Sequence, residues 1–296
     1  MGATQPSRIQ PGRDPMTKII LNADDFGRSA SINAAVLRAH REGVLTSASL
    51  MITGDAAESA VAMARDNPTL AVGLHVVIAN GRAALPPSQI PHLTGGDGLF
   101  SARAAQSGLH YFLSRTIQKE LTREMREQFD RFAATGLPLS HVDSHMHMHV
   151  IPPVFTQIVS LAEEYGARGF RLPRDDLRLA LRYDSRNAVE KTAWTIIFGL
   201  LCRVQLPRLQ KSGLAITRRV YGLLQSGQMC EGYVIRILRE VNVPTAELYF
   251  HPSIQKGDEP LGPNPDDLAT LLSPSVRNVI EERGLRLSTY PTLPGD

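Results

Sequence analysis

Short apolar runs alternate with helical patterns along most of the chain, and this alternation limits the fold more than any other feature of the sequence. Runs rich in β-forming residues occur at Lys18–Asn22, Ser47–Ile52, Leu70–Ile78 and Glu247–Phe250. Short apolar runs that end at turn residues are typical of buried strands. Because helical stretches separate these runs, the pattern predicts a parallel α/β sheet or barrel.

The remaining elements continue the same alternation. Further strands are predicted at Leu139–Asp143, Phe170–Leu172 and Leu285–Thr289. Helices are predicted at Ser31–Arg41 with Ser31 as N-cap and Gly43 at the end, and at Ala56–Arg65, Lys119–Ala134, Pro153–Tyr165, Asp266–Leu272 and Val276–Arg283. The segment Asn80–Gly98 is rich in proline and glycine, and a loop of this length in a small domain is usually functional.

The bulk composition excludes some classes of protein. The chain has 296 residues, 43% of them apolar, so it can bury a sizeable core. Its net charge of +3, from 32 cationic and 29 acidic residues, is too small to indicate nucleic-acid binding. Cys202 and Cys230 match no zinc-binding spacing and fit free thiols in a reducing compartment.

The first sixteen residues, MGATQPSRIQPGRDPM, lack the apolar core of a secretory signal. We interpret residues 1–16 as a disordered leader or a remnant of cloning, and residues 17–296 as a single domain. Together with the free thiols, this predicts a cytoplasmic protein.

The segment Asn187–Met229 departs from the alternation. Its apolar run, Thr192–Val204, is shorter than the roughly 20 residues that a transmembrane helix needs, and cations flank it. One interpretation is a helical insertion that packs on the domain or on another subunit of a homo-oligomer. The other is an apolar surface with basic edges that meets a lipid substrate or the inner face of a membrane. The sequence leaves both interpretations open.

Four of the nine histidines fall in the short motif HVDSHMHMH, at His141, His145, His147 and His149. On a continuous strand these residues would face one side together with Asp143, because side chains two apart share a face. Imidazoles spaced in this way can bind one metal ion, although the outer members cannot all reach the same ion. The pattern predicts a metal site here and does not choose among the four histidines.

Polar groups also follow three other predicted strands. Asp24 and Asp25 come directly after the first strand, where one carboxylate could bind a cation and its neighbour could accept a proton. His75 lies in an apolar strand, and His251 ends another. Taken alone, the acidic pair could be a solvated turn and each histidine a satisfied core residue. Packing alone hardly explains so many polar groups at the ends of apolar strands. Active sites of α/β barrels gather at strand ends, so the same positions indicate a functional site.

These motifs resemble those of the YdjC-like carbohydrate deacetylases, in the same order. The resemblance rests on NADDFG (Asn22–Gly27), GLH (Gly73–His75), HVDSHMHMH (His141–His149) and FHP (Phe250–Pro252). It implies an irregular TIM-barrel-like (β/α) fold with fewer regular strands than a full barrel and a helical insertion at about 187–229. It also implies a metal-dependent hydrolase that removes acetyl groups from N-acetylated amino sugars.

The resemblance carries roles over to single positions. Asp25, His75 and His145 match the metal ligands, Asp24 the catalytic base and His251 the general acid. Substrate-binding roles are expected for four residues near the site: Asp143, His147, Arg171 and Arg174. The implied cofactor is one divalent metal ion, with Zn²⁺ and Mg²⁺ favoured by histidine and carboxylate ligands and Mn²⁺ or Co²⁺ left open.

Within the family, the chain most resembles the hopanoid-biosynthesis-associated branch called HpnK. The run Phe170–Asp176 and the apolar segment at 187–229 carry this closer resemblance. It implies that the substrate is an N-acetylglucosaminyl hopanoid, which deacetylation converts to a glucosaminyl hopanoid.

Four other functions remain open on the sequence. A metal-dependent phosphoesterase or amidohydrolase would bind two metal ions, and a deacetylase could act on soluble chito-oligosaccharides instead of a lipid. A protein that binds carbohydrate or lipid without catalysis would not depend on Asp24. A metal-buffering histidine row would take up metal loosely and without hydrolysis.

Overall fold

All the strands in the described part of the chain belong to one parallel sheet. The computed structural model describes residues 16–256 and 262–293, so residues 1–15 of the predicted leader lie outside it. The strands are β1 (Lys18–Phe26), β2 (Ser47–Leu50), β3 (Ala71–Val76), β4 (Val142–Ser144), β5 (Arg219–Tyr221), β6 (Thr245–Phe250) and β7 (Arg286–Leu287). Their order is β4-β3-β2-β1-β6-β5, and β7 pairs with the start of β1.

The central strand is β1, which pairs with β2 on one side and β6 on the other. Its apolar residues Ile19, Ile20 and Leu21 are fully buried. A parallel strand with both faces covered reads as a continuous apolar run, which explains why the sequence located β1 and β3 well.

The sheet is a half-barrel and not a closed TIM barrel, so the predicted α/β class is confirmed and the likeness to a TIM barrel is only partial. Between β4 and β5 the described chain forms only isolated bridges, Val142 with Phe170 and Gly169 with Ala215. The predicted strand Phe170–Leu172 is therefore not a regular strand. Pro173 follows it directly and has no N–H to continue a ladder. The fold is an α/β half-barrel of parallel strands flanked by helices.

The helices that flank the sheet are α1 (Ala30–Glu42), α2 (Ala57–Arg65), α3 (Ala104–Leu113), α4 (Arg115–Ala134), α5 (Pro152–Glu164), α6 (Leu177–Tyr183), α7 (Ala188–Gln210), α8 (Glu231–Glu240), α9 (Pro265–Leu272) and α10 (Pro274–Glu282). Short 3₁₀ helices occupy His145–Val150, Leu223–Gln225 and Tyr290–Thr292. The sequence did not predict α3, α6 or α8. The cap of α6 was a usable signal, because Asp176 accepts a hydrogen bond from the Leu179 N–H at 3.1 Å.

The first helix begins two residues earlier than predicted. Ser29, not Ser31, is its N-cap, and the Ser29 hydroxyl oxygen accepts a hydrogen bond from the Ile32 N–H at 3.3 Å. Gly43 ends the helix as predicted.

The segment predicted as a helical insertion, 187–229, has two parts. Its first part is α7, a helix of 23 residues. Its second part includes β5, which pairs with β6 and so belongs to the sheet. Among the described residues, no helix combines the length and the hydropathy needed to cross a bilayer. The single-domain organisation of residues 17–296 stays a prediction.

Candidate metal centre

The carboxyl ends of four strands bring the predicted site residues to one edge of the sheet. Asp24 and Asp25 belong to the end of β1, and His75 to the end of β3. His145 follows β4 directly, and His251 follows β6. The pairing of Ala23 with Phe250 places the residues after them, Asp24 and His251, side by side. Parallel pairing therefore assembles groups that are far apart in the sequence.

The end of β1 is irregular where the two aspartates lie. The register with β2 shifts between Ala23 and Phe26, and Asp25 has a φ of 63°. This left-handed conformation is uncommon for a residue with a side chain and is found at functional sites. Gly27, with a φ of 92°, follows in a turn where an added Cβ would lie 2.9 Å from the Met51 carbonyl oxygen. The turn therefore points Asp24 and Asp25 in different directions.

Asp25, His75 and His145 converge with a spacing that suits a metal ion. Asp25 Oδ1 lies 3.5 Å from His75 Nε2 and 3.2 Å from His145 Nδ1. Two ligands of one tetrahedral ion, each about 2.1 Å from it, lie about 3.4 Å apart. All three residues are buried, and their ligand atoms form a group that could hold an ion.

Unpartnered polar atoms support the same conclusion. Asp25 Oδ1, His145 Nε2, His147 Nδ1 and His251 Nδ1 are buried without a hydrogen-bond partner among the described residues. Buried polar atoms are nearly always hydrogen-bonded, so a group of exceptions in one place indicates a bound ion, water or substrate. The residues present therefore fit a divalent cation.

His75 is held in place by Asp143. The Nδ1 atom of His75 is 2.7 Å from Asp143 Oδ1, which leaves Nε2 directed at Asp25. Burial alone would lower the pKa of His75, but Asp143, Asp24 and Asp25 raise it above its usual value. A carboxylate behind a ligating imidazole fixes the ring and makes it a stronger ligand. Asp143 is thus a positioning group rather than a direct part of the trio.

The charge of Asp25 is also favoured by its surroundings. Burial alone would raise its pKa, but His145, His251 and His75 hold it well below its usual range. Arg28 adds an ion pair at 3.0 Å to the other carboxylate oxygen, Oδ2. Asp25 is therefore ionised, with Oδ1 left open toward the two imidazoles.

The histidine row does not lie on a strand, and the predicted alternation is wrong. β4 ends at Ser144, and residues 145–150 form a 3₁₀ helix with positive φ at Met146 (56°) and His147 (53°). This turn sends the imidazoles in different directions. Of the four histidines, only His145 lies close enough to Asp25 and His75 to share a metal ion with them.

Two other histidines of the row are structural. The ring nitrogens of His141 contact the hydroxyls of Ser49 and Ser140, and its ring stacks on Tyr290. His149 contacts the Ser144 hydroxyl and the Arg171 carbonyl oxygen. Burial lowers the pKa of each to about 4, so both are neutral. With both nitrogens occupied, neither is available as a ligand.

Arg171 links the carboxylates of the site. Its guanidinium is fully buried and makes five contacts with three carboxylates. These are Nη1 to Asp24 Oδ2 (2.7 Å), Nη2 to Asp24 Oδ1 (2.7 Å), Nη1 to Asp143 Oδ2 (2.8 Å), Nε to Glu247 Oε1 (2.9 Å) and Nη2 to Glu247 Oε1 (2.7 Å). A guanidinium has five N–H donors, so the residue is saturated.

Burial alone would lower the pKa of Arg171, but Asp143, Asp24 and Glu247 raise it well above its usual value. Four carboxylates of the site are buried, those of Asp24, Asp25, Asp143 and Glu247, and the buried guanidinium of Arg171 contacts all of them except Asp25. Uncompensated buried charge is costly, and a divalent cation beside Asp25 would balance part of the excess.

Comparison with known proteins identifies the family of this chain. Residues 18–282 match the profile of the YdjC-like protein family. The chain belongs to the YdjC-like family. A carbohydrate deacetylase from Brevibacillus brevis is 33% identical over 284 residues, which cover 93% of this chain and 99% of the relative. A carbohydrate deacetylase from Geobacillus stearothermophilus is 32% identical over 276 residues, covering 92% and 96%.

One solved structure resembles the fold of this YdjC-like protein. It is a protein of Enterococcus faecalis V583, provisionally described as a cellobiose-phosphate cleavage protein. The TM-score is 0.70 at 21% identity, with 93% of this chain and 98% of the other covered. At this identity the likeness concerns the fold alone.

The other predicted site residues of the YdjC-like chain occupy distinct positions. His147 Nε2 lies 3.0 Å from the Tyr249 hydroxyl, and burial lowers the His147 pKa well below its usual value. Arg174 lies beside β5, where its Nη2 donates to the Thr217 carbonyl oxygen at 2.9 Å. The predicted substrate-binding roles of Asp143, His147, Arg171 and Arg174 stay predictions.

The sequence did not single out several residues that the structure places in this network. Glu247 bonds Arg171 and also accepts a hydrogen bond from the Tyr290 hydroxyl at 2.5 Å. Ser49 donates to Asp143 Oδ2 at 2.8 Å, and Asn22 donates to Asp24 Oδ1 at 2.8 Å. A signal existed for Glu247, because a charged residue inside an apolar strand needs a buried partner.

Proposed function

We propose that this protein is a metal-dependent carbohydrate deacetylase that hydrolyses the N-acetyl group of an amino sugar. The observation that carries the proposal is the buried trio Asp25, His75 and His145, with open ligand atoms beside the Asp24–Arg171 pair. The near full-length similarity to proteins named carbohydrate deacetylases supports the choice of reaction.

The reaction replaces the amide C–N bond with a C–O bond from water and releases acetate and an amine. Asp25, His75 and His145 would hold the cation, which supplies Lewis-acid polarisation and lowers the pKa of water. Asp24 takes one proton from the attacking water. Arg171 and Asn22 bind both carboxylate oxygens of Asp24 in one orientation, so the base cannot turn away from the water.

His251 is the residue that returns a proton to the departing nitrogen. An amine is a poor leaving group unless it is protonated as the C–N bond breaks. His251 lies next to Asp24 across the β1–β6 pairing, and its Nδ1 has no partner among the described residues. Its backbone N–H donates to Asp267 Oδ2 at 2.8 Å, which fixes the start of the turn after β6.

For the substrate we propose an N-acetylglucosaminyl hopanoid, with the reaction taking place at the cytoplasmic face of the membrane. The support is a chain of ring contacts between the site and α7. His147 contacts Phe198 with a centroid distance of 5.8 Å, and Phe198 contacts the half-exposed Trp194 at 5.8 Å. An apolar aglycone bound against this helix would leave its sugar near the trio.

The two-metal phosphoesterase is a weaker candidate on these contacts. A second group of potential ligands exists, Asp24, His75 and Asp143. Both oxygens of Asp24 contact Arg171, and Asp143 contacts His75 and Arg171. A guanidinium already occupies the position that a second cation would need.

The deciding experiment measures acetate release by chelated protein with and without added divalent metal. N-acetylglucosaminyl hopanoid and soluble chito-oligosaccharides are assayed in parallel, with Asp24→Asn as the matched inactive control. We expect metal-dependent release from the hopanoid. Release from the soluble sugars alone would retain the deacetylase and overturn the hopanoid substrate. Absence of release from both would overturn the deacetylase.

A further inference from the structure

The outward face of α7 is apolar along the length of the helix. Its exposed fractions are 86% for Val189, 64% for Ile196, 63% for Leu200 and 68% for Val204. These residues are spaced by seven, four and four, which puts them on one side of a helix about 34 Å long. Soluble monomers rarely expose a continuous apolar stripe of this size without a partner for it.

The orientation of α7 is fixed by its inner face. Leu209 is fully buried, and Cys202 donates to the Pro173 carbonyl oxygen at 3.4 Å. Gln205 donates to the carbonyl oxygen of Val150, next to the histidine turn. The helix contacts α5, α6 and both neighbouring 3₁₀ helices. Because polar bonds and packing fix the inner face, the apolar stripe is held outward.

Positive charge is concentrated in the sequence segment that carries the stripe. Residues 177–219 contain nine cations and two carboxylates, whereas the remaining chain contains 23 cations and 27 acidic residues. Arg203 lies on α7 itself and Lys211 at its end, and both are exposed. The segment is therefore basic within an otherwise slightly acidic chain. Arg182, Arg186, Lys191 and Arg208 pair with carboxylates, whereas Arg203 and Lys211 extend into solvent on the side of the stripe. A surface of this kind is complementary to a bilayer that contains anionic lipid.

We infer that the outward face of α7 docks on the surface of an anionic lipid bilayer. The apolar side chains enter the interfacial region while Arg203 and Lys211 contact the head groups. No described helix spans a membrane, so the contact is peripheral. Trp194, 42% exposed on the flank of α7 next to Phe198, has the amphipathic ring that prefers the interface.

The position of the stripe connects this contact with the candidate site. Phe198 faces inward between Trp194 and His147, so the docked helix separates the bilayer from the site by one layer of aromatic rings. The inference extends the proposed function, because a lipid-linked substrate would enter from this side. Its test measures binding to vesicles and needs no turnover, so its failure is distinguishable from failure of the deacetylase.

The test is co-sedimentation of the full chain with two kinds of vesicle, phosphatidylcholine alone and phosphatidylcholine mixed with phosphatidylglycerol. We expect binding to the mixed vesicles that weakens as salt is added. The double variant Ile196→Ser/Leu200→Ser should lose about tenfold or more in affinity for the vesicles, because it removes two apolar side chains that docking would bury in the bilayer. The matched apolar control, Leu287→Ser on β7, which pairs with the start of β1, should bind like the wild type.

Charge is tested separately. Arg203→Glu/Lys211→Glu should weaken binding about tenfold or more on the mixed vesicles, whereas Lys119→Glu on α4 should leave binding unchanged. All the substituted residues are exposed, and thermal unfolding checks that the variants fold.

Two results would overturn the inference. One is equal binding by wild type and both double variants. The other is a wild-type dimer, measured by light scattering, that ignores vesicles and becomes monomeric in Ile196→Ser/Leu200→Ser, because the stripe would then be covered by a second copy of the chain.

Discussion

The candidate metal centre and the outward face of α7 both depart from the usual rule that charged side chains are exposed and apolar ones are buried. At the site, four carboxylates and a guanidinium are buried. On α7, large aliphatic side chains are exposed. The site offsets the cost of buried charge by pairing, since Arg171 uses its N–H donors on three carboxylates. Nothing in the described chain offsets the exposure on α7.

The difference teaches that the two regions depend on different partners. The charged groups of the centre pair mostly with one another, and among the described residues the unpartnered atoms there include Asp25 Oδ1, His145 Nε2, His147 Nδ1 and His251 Nδ1. The outward face of α7, in contrast, needs a partner outside the molecule to cover its apolar side chains. Substitutions at the centre should therefore change folding, metal binding or catalysis, whereas substitutions on α7 should change association and leave folding intact.

The largest effect is expected from Asp24→Asn. The amide cannot accept the proton of the attacking water, so we expect turnover to fall by about 10²–10⁴-fold while metal remains bound. Acetate release and metal content, measured on the same preparation, check this. Asp66→Asn, an exposed residue at the end of α2, is the control. Wild-type turnover in Asp24→Asn would remove Asp24 as the base.

Arg171→Met tests how far the centre is paired internally. Three carboxylates would lose their buried cation, and we expect the free energy of unfolding to fall by about 3–5 kcal/mol. Urea unfolding measures the change. Adding Glu247→Gln to this variant should restore part of the loss, because one uncompensated charge is removed. Equal stability of wild type and Arg171→Met would mean that the ion pairs of Arg171 do not stabilise the fold.

His145→Ala and His149→Ala distinguish a metal-ligand role, expected for His145, from a structural role, expected for His149. We expect His145→Ala to lose bound metal, with an affinity loss beyond the 10–100-fold typical of outer partners, and to remain nearly as stable as the wild type. His149→Ala should keep the metal and lose stability, because the Ser144 and Arg171 contacts are internal. Metal titration and thermal unfolding check both variants. Retained metal in His145→Ala would point to His147, whose Nδ1 has no partner among the described residues.

Gly73→Ala tests packing behind the centre. A Cβ at Gly73 would lie 2.5 Å from the His141 ring, which is itself stacked on Tyr290. We expect a loss of about 1–3 kcal/mol from overpacking. Gly199→Ala on α7 is the contrasting change, since nothing lies within 4 Å of its added Cβ. It should gain about 0.5–1 kcal/mol from helix propensity. Destabilisation by both substitutions would contradict the contrast.

The smallest effect on stability is expected from Ile196→Ser/Leu200→Ser. Both side chains are mostly exposed, so the free energy of unfolding should change by less than about 0.5 kcal/mol per residue. Leu248→Ala, fully buried in β6, should lose about 2–5 kcal/mol in the same assay. A large loss in the α7 variant would show that the stripe is packed in solution and would weaken the comparison.

The sequence predicted the parts of the fold that depend on local pattern. The apolar runs of β1, β3 and β6 and the glycine after α1 were found because both strand burial and helix termination have short-range signatures. The closure of the barrel was not predictable in this way. Whether Phe170–Leu172 pairs continuously depends on its neighbours and on Pro173, and the run itself resembles a strand.

The site residues also divide into those that the local pattern predicted and those that depend on the folded structure. The positions of Asp24, Asp25, His75 and His251 followed from strand ends, since parallel strands deliver their ends to one edge. The choice of His145 did not, because it depends on the positive φ angles of Met146 and His147. Glu247 was missed although its charge inside an apolar strand indicated a buried partner. The local pattern does not identify that partner, Arg171, because it is 76 residues away.

The pairing of β1 with β6 also sets the order in which the molecule can be completed during synthesis. Lys18 pairs with Thr245, so one edge of an apolar strand stays open while roughly 200 further residues are made. At about 5–20 residues per second this interval lasts roughly 10–40 s. An unpaired apolar edge is an aggregation hazard, which makes the nascent chain a candidate for chaperone protection. The two aspartates emerge early, yet the ribosome must deliver β6 before His251 can join them.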